Sequence, residues 1–222
     1  MTDDSPGYPI MDDAVMMRET RAALADTGLR LSDIEFVKIT PGFNVAALES
    51  FIAAGASLGA RHVITAPYDH DHSRLSDSLA GIASLAKRYG LSALLEFFPW
   101  TTVQDLETAA KVVGATSCPN VGILIDMLHF DRSDSSLSQI GSIPTHWLPM
   151  THLCDAPAGK PTTIEGLLYA DCTGRAPAAR RGLYRYRSDS NGNAKCHPNC
   201  PRSAHATDER SGGRRGSRSS RA

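Results

Sequence analysis

Apolar residues recur along this chain in two alternating patterns. Short, nearly continuous apolar runs, typical of strands buried on both faces, are each followed by a longer segment with apolar residues at helical spacing. The predicted strands are 34–39, 62–67, 91–98, 121–128 and 147–155, and the predicted helices are 13–27, 44–58, 73–89, 103–113 and a weaker one at 133–140. The comparable strand ends Ile39, Ala66, Glu96, Asp126 and His152 are separated by 27, 30, 30 and 26 residues. This repeating β/α unit predicts a parallel sheet covered on both faces or closed into a barrel.

The repeat is shorter than a whole eight-unit barrel requires. Such a barrel usually needs about 250 residues, and this chain has 222. Five strands are visible, and the first predicted element is a helix, so the strand that would open the barrel is missing. The predicted fold is therefore an α/β protein with an incomplete (β/α)8 TIM barrel.

The composition changes abruptly near residue 175. Residues 175–222 carry 12 Lys and Arg against 3 Asp and Glu, whereas residues 1–174 carry 11 against 21. The later segment has almost no large aliphatic residues and cannot bury enough apolar surface to become ordered. We therefore expect a partial barrel domain over 1–174 and a disordered basic tail over 175–222. We interpret the change as the product of a reading-frame shift or a wrongly assigned gene end.

The remaining composition is that of a soluble globular domain. Hydrophobic residues make up 41% and charged residues 21% of the chain, and no apolar run reaches the roughly 20 residues of a spanning helix. The five cysteines have no framework-like spacing and are interpreted as reduced thiols. We predict a cytoplasmic protein without a membrane partner. We interpret the basic tail as a solvated segment rather than as a site of non-specific nucleic-acid binding. No specific nucleic-acid partner is expected.

Three ligand-type side chains stand at the ends of successive predicted strands. They are Glu96, Asp126 and His152, and in a parallel barrel these ends point into one bowl. Two carboxylates and one imidazole suit Mn²⁺, Mg²⁺, Co²⁺ or Zn²⁺. A single Glu at such a position is more often an ordinary rim residue, so the pattern alone leaves both interpretations open. The strand of Asp126 is so apolar that its carboxylate needs a cation, a hydrogen-bond donor or another partner nearby.

The motifs around these residues resemble one known family. LLEFFPW, GILIDMLHFDRS and HLCDAP together are similar to the sugar phosphate isomerase/epimerase group, whose barrels are xylose-isomerase-like, and the similarity runs from Tyr8 to Leu168. The resemblance implies that Glu96, Asp126 and His152 bind one divalent metal. It also implies that His129 contacts the substrate, a small sugar or sugar phosphate.

The resemblance implies metal-assisted proton transfer between carbons next to a carbonyl. Family members use two Glu residues for this step, and Glu96 matches one of them. The second Glu, which is also the fourth metal ligand, is expected about 30 to 40 residues beyond His152. No Glu occurs between Glu165 and Glu209, so catalytic activity stays an open question.

Two alternatives remain beside an isomerase/epimerase. The first is a catalytically inactive barrel fragment, which would be unstable alone or would survive within a homo-oligomer. The second is a metal-dependent phosphodiesterase similar to endonuclease IV, whose chemistry needs two or three metals and more His ligands than this rim shows.

Overall fold

The computed structural model describes residues 10–154 and 159–172. Within these residues lies a five-stranded parallel sheet with strand order β1-β2-β3-β4-β5. The strands are β1 Asp33–Ile39, β2 His62–Pro67, β3 Ser92–Glu96, β4 Val121–Asp126 and β5 Met150–His152. The predicted α/β architecture is thus confirmed. The predicted disordered tail lies outside the described residues.

Helices precede, connect and follow the strands. They are α1 Ala14–Thr27, α2 Glu49–Ser57, α3 His72–Arg88, α4 Leu106–Thr116, α5 Met127–Arg132, α6 Leu137–Ile140 and α7 Ile164–Cys172, with 3-10 turns at Val45–Leu48 and Thr145–Trp147. Asp13, Asp71 and Asp105 cap three of the helices by accepting backbone N–H bonds. Gly28 ends α1 with a φ of 67°, the left-handed conformation that a glycine C-cap adopts. None of the helices described is long and apolar enough to cross a bilayer.

The strand ends differ from the predictions where side chains or turns stop the ladder. β3 ends at Glu96 rather than at residue 98, because the Phe98 N–H bonds to the Val103 carbonyl in a turn. β4 ends at Asp126 rather than at residue 128, because its side chain caps α5. The prediction of strand for Met127 and Leu128 is therefore wrong. The short helix α5 and the helix α7 were not predicted.

One face of the sheet, the outer face, packs against the helices. Side chains alternate along a strand, and the outward positions of the central strands are fully buried. Val63, Leu95 and Ile123 are 0% exposed and belong to one core cluster with Leu79 of α3 and Val112 of α4. Burial of such side chains contributes about 1.5–3 kcal/mol each. This face therefore supplies most of the stability.

The opposite face, the inner face, has a much smaller apolar layer. Ile64, Leu94 and Leu124 form a separate buried cluster, with Met150 of β5 packed against it. Gly122 lies in the same row, and a Cβ there would stand 2.8 Å from a backbone oxygen of the turn before β5. Glycine is required at this position because that turn closes tightly on the inner face. The polar strand-end residues lie above this layer.

Candidate metal and substrate site

Glu96 is the last residue of β3 and lies on the inner face. Its chain neighbours Leu95 and Phe97 belong to the outer core, so the alternation of side chains turns the carboxylate inward. It pairs in register with Leu124 of β4 and is 5% exposed. The strand thus holds a nearly dry carboxylate at its carboxyl end.

Asp126 ends β4 and starts α5. Its Oδ1 accepts the N–H of Leu128 at 2.8 Å and that of His129 at 3.2 Å, which makes it the N-cap of α5. The Cys154 Sγ donates to the other carboxylate oxygen at 3.3 Å. These bonds fix the Asp126 carboxylate in a position that is 3% exposed.

His129 reaches the same point from the first turn of α5. Because α5 begins directly after Asp126, a residue three positions later lies on the same side of the helix as the cap. The His129 Nε2 lies 3.6 Å from Glu96 Oε1. One ligand atom from each of Glu96, Asp126 and His129 lies within 4.8 Å of the others. We call these three residues the carboxylate–imidazole cluster.

His152 sits next to this cluster, at the end of β5. Asp126 and His152 are register partners in the parallel ladder, and His152 is 8% exposed. Its ligand atoms group within 4.8 Å with those of Asp33 and Glu35 from β1. β1 and β5 approach each other over the inner face, where Ser32 Oγ lies 3.5 Å from the Met150 sulfur.

The predicted site residues are therefore distributed over two adjoining groups. The sequence placed Glu96 and Asp126 together, and the structure does the same, with His129 as the imidazole nearest to them. His152 is in register with Asp126 but shares its group with Asp33 and Glu35. Sequence reasoning missed these two acids, although acidic residues two positions apart in an apolar strand mark one polar face.

The inner face concentrates negative charge. Burial raises the pKa of the Glu96 carboxyl well above its ordinary value. The charges of Asp126, Glu35 and Asp33 raise that pKa further, in this order of effect. A bound cation would offset both the desolvation and the repulsion. The donor set of carboxylate oxygens and imidazole nitrogens is the one that Zn²⁺ and Mn²⁺ accept, so the residues fit a divalent metal.

Aromatic rings line one side of the cluster. The Phe98 and Trp100 rings each make a T-shaped contact with the His129 ring, with centroid distances of 4.6 and 5.2 Å. Phe98 also contacts Phe36 at 6.3 Å, and Trp100 Nε1 donates to the Tyr68 hydroxyl at 3.5 Å. We call Phe36, Tyr68, Phe98 and Trp100 the aromatic wall.

Comparisons with known proteins identify the family and the fold of this chain. Residues 2–174 match the family model described as xylose isomerase-like TIM barrel. Inosose isomerase from Bacillus subtilis (strain 168) is 27% identical over 94 residues, which cover 38% of this chain and 34% of the relative. The chain thus spans about a third of the length of this curated relative.

Solved structures share the fold at low sequence identity. The IOLI protein with a binding zinc atom superposes with a TM-score of 0.60 and 18% identity, over 68% of this chain and 59% of that one. The 3-keto-D-glucoside 4-epimerase from E. coli gives a TM-score of 0.55 and 19% identity, over 69% and 71% of the two chains. These similarities establish the fold of the described domain.

Proposed function

The chain belongs to the xylose isomerase-like TIM barrel family, and from that premise we propose that it acts as a sugar or sugar-phosphate isomerase/epimerase. The reaction is a proton transfer between carbons next to a carbonyl, assisted by a divalent metal. The observation that carries this proposal is the buried pair Glu96 and Asp126, which meet at the ends of neighbouring strands together with His129.

Glu96, Asp126 and His152 are the proposed metal ligands. Two of them come from adjacent strand ends in register, and all three are at most 8% exposed. Buried carboxylates without a cation are costly, which favours ligation over a purely structural role. Mn²⁺, Mg²⁺, Co²⁺ and Zn²⁺ all suit the donor set. When bound, such an ion supplies Lewis-acid polarisation of a substrate carbonyl.

The chain's own residues would handle the proton. The Glu96 carboxylate would take the proton from one substrate carbon and deliver it to the neighbouring carbon. His129 contacts a substrate oxygen, and its ring is held in place by Phe98 and Trp100. These aromatic neighbours also keep water from one side of the reacting carbon.

Asp126 variants test the metal site directly. Asp126→Asn keeps a side-chain oxygen that can cap α5, whereas Asp126→Ala removes the ligand and the cap. We expect the wild type to bind one Mn²⁺ or Co²⁺ per chain in equilibrium dialysis. Both variants should weaken binding by more than about 100-fold, beyond the loss typical for a residue that only supports a ligand. The Ala variant alone should also lose about 1 kcal/mol of stability.

Two further variants separate the roles of the imidazoles. His152→Gln should weaken metal binding, whereas His129→Gln should retain the metal and lose ketose epimerisation, measured as solvent deuterium incorporated at the exchanging carbon. The opposite result would make His129 the ligand.

A protein that binds no divalent metal and turns over no ketose would contradict the proposal. A broad, non-cooperative melt would then favour the inactive fragment, and two or more ions per chain would favour a phosphodiesterase.

A further inference from the structure

Lys38 extends the inner face beyond the carboxylate–imidazole cluster. It lies between Val37 and Ile39, which are both buried in the outer core, so the strand period places its side chain on the inner face. It pairs in register with Ala66 of β2 and is exposed. A cation therefore stands near the end of β1, on the face that otherwise carries acids.

Aromatic rings surround the Lys38 ammonium. Its Nζ lies 5.7 Å from the centroid of Phe36 and 5.2 Å from that of Tyr68. Both distances are within the range of cation–π attraction, which is about 6 Å. Among the described residues, Lys38 forms no salt bridge with a carboxylate. The ammonium is thus held by rings that leave its charge available to an anion.

The aromatic wall connects Lys38 to the reaction centre. Phe36 contacts Phe98, and Phe98 contacts His129, whose Nε2 lies beside Glu96. A chain of ring contacts thus links the carboxylates to the ammonium. A sugar lying along it would place C–H groups on the rings and its far end at Lys38.

We propose that Lys38 and the aromatic wall form a subsite for an anionic group at the end of the substrate remote from its carbonyl. The substrate class is then a ketose that carries a phosphate or a carboxylate. Both groups pair with an ammonium, and the positive charge of Lys38 offsets the repulsion that the acids of the inner face exert on an anion. The substrate class rests on the proposed isomerase/epimerase function, whereas the anion subsite stands on the geometry of Lys38 alone.

Anion binding to the metal-free protein tests the subsite without any turnover. The probes are inorganic phosphate and acetate, titrated calorimetrically into the wild type, Lys38→Met and Lys87→Met. Lys87 is an exposed lysine in the last turn of α3 and serves as the matched control. Lys38→Met should weaken binding of one of these anions by about 10-fold, and Lys87→Met should leave it unchanged.

The anion that depends on Lys38 identifies the chemistry of the group. Phosphate dependence indicates a sugar phosphate, and acetate dependence indicates a sugar acid. Equal affinity of Lys38→Met and wild type for both anions overturns the proposal. Lys38→Arg should retain binding, because the positive charge is kept.

A substrate comparison separates this inference from the proposed function. With Mn²⁺ present, the wild type should prefer D-fructose 6-phosphate or a keto sugar acid over D-fructose, and Lys38→Met should lose that preference mainly through a higher KM. Turnover that ignores the anionic group would overturn the inference and leave the isomerase/epimerase proposal standing. Anion binding at Lys38 without metal binding or turnover would support the anion subsite and contradict the isomerase/epimerase proposal.

Discussion

The two faces of the sheet show how one set of strands separates stability from chemistry. On the outer face, Ile123 and Ile125 pack into a large core shared with α3 and α4. On the inner face, the residue between them, Leu124, belongs to a cluster of only three buried residues. Two positions further along this face stands Asp126. The same backbone thus carries a dense apolar layer on one side and a charged site on the other.

This difference teaches where the inner face can accept polar residues. Ile64, Leu94 and Leu124 form a thin apolar base, and the carboxylates begin one inward position beyond it. Burial of charge is costly wherever no compensation exists. The inner face therefore gives up stability in order to hold the residues of the candidate site.

The largest expected effect tests the difference in packing between the faces. Ile123 and Leu124 are neighbours in β4, and each is 0% exposed. We expect Ile123→Ala to cost about 4 kcal/mol and Leu124→Ala about 2 kcal/mol, the upper and lower parts of the range for such truncations. The reason is that Ile123 packs against residues of α3 and α4 in a large core. Leu124 belongs to a cluster of three buried residues, so its truncation removes fewer apolar contacts.

Urea unfolding followed by circular dichroism measures both free energies. The outer-face variant should bind Mn²⁺ as the wild type does once folded, because Ile123 faces away from the carboxylates. Equal costs, or a larger cost at Leu124, would show that the inner face is packed as well as the outer one.

The outer face was predictable from the sequence because burial sets its pattern. Apolar runs such as those around Val63 and Ile123 fix the strands, and Gly28 marks the end of a helix through local backbone geometry. The predicted strand ends were less accurate. Asp126 ends β4 by capping α5, and the residues MLHF that begin this helix have the apolar character of a continuing strand. Local sequence cannot show which of two roles a side chain adopts at such a junction.

The inner face was predictable only in part. The spacing of Glu96 and Asp126 predicted that the two carboxylates lie close together, because parallel strands end at the same edge of the sheet. The proximity of His152 to Asp33 and Glu35 depends on how closely β1 and β5 approach, which is a property of the whole sheet. The approach of His129 to Glu96 depends on α5, which begins directly after β4 with no loop between them.

A smaller effect tests the electrostatic cost on the inner face. Because the Glu96 pKa is raised in the folded protein, its contribution to stability is fully present below the ordinary pKa of Glu, about 4.3. That contribution is lost as the pH rises through the folded-state pKa. We expect Glu96→Gln to raise the Tm of the metal-free protein by about 2–4 °C at neutral pH, with no gain below about pH 4.

Thermal melts at several pH values measure this effect, with Glu107→Gln as the control. Glu107 has the same side chain but lies on the outer surface of α4, where it pairs with Lys111. Its replacement should not reproduce the pH-dependent gain. Added Mn²⁺ should stabilise the wild type and leave Glu96→Gln unaffected. A loss of Tm at neutral pH in the metal-free Gln variant would mean that Glu96 is already compensated by the protein itself.

The smallest expected effect concerns Glu49, a glutamate whose side chain is exposed to solvent, unlike that of Glu96. Glu49 at the start of α2 pairs with Arg88 and accepts the Tyr89 hydroxyl at 2.8 Å, and the paired side chains are 46% and 62% exposed. We expect Arg88→Gln to change the free energy of unfolding by less than about 0.5 kcal/mol, because exposed pairs gain little in high dielectric. Urea unfolding at low salt and at 1 M NaCl measures it, with the remaining difference vanishing at high salt. A cost above about 1 kcal/mol would show that this pair joins α2 to α3 as strongly as apolar packing does, and solvent exposure would then no longer explain why Glu96 and Glu49 differ.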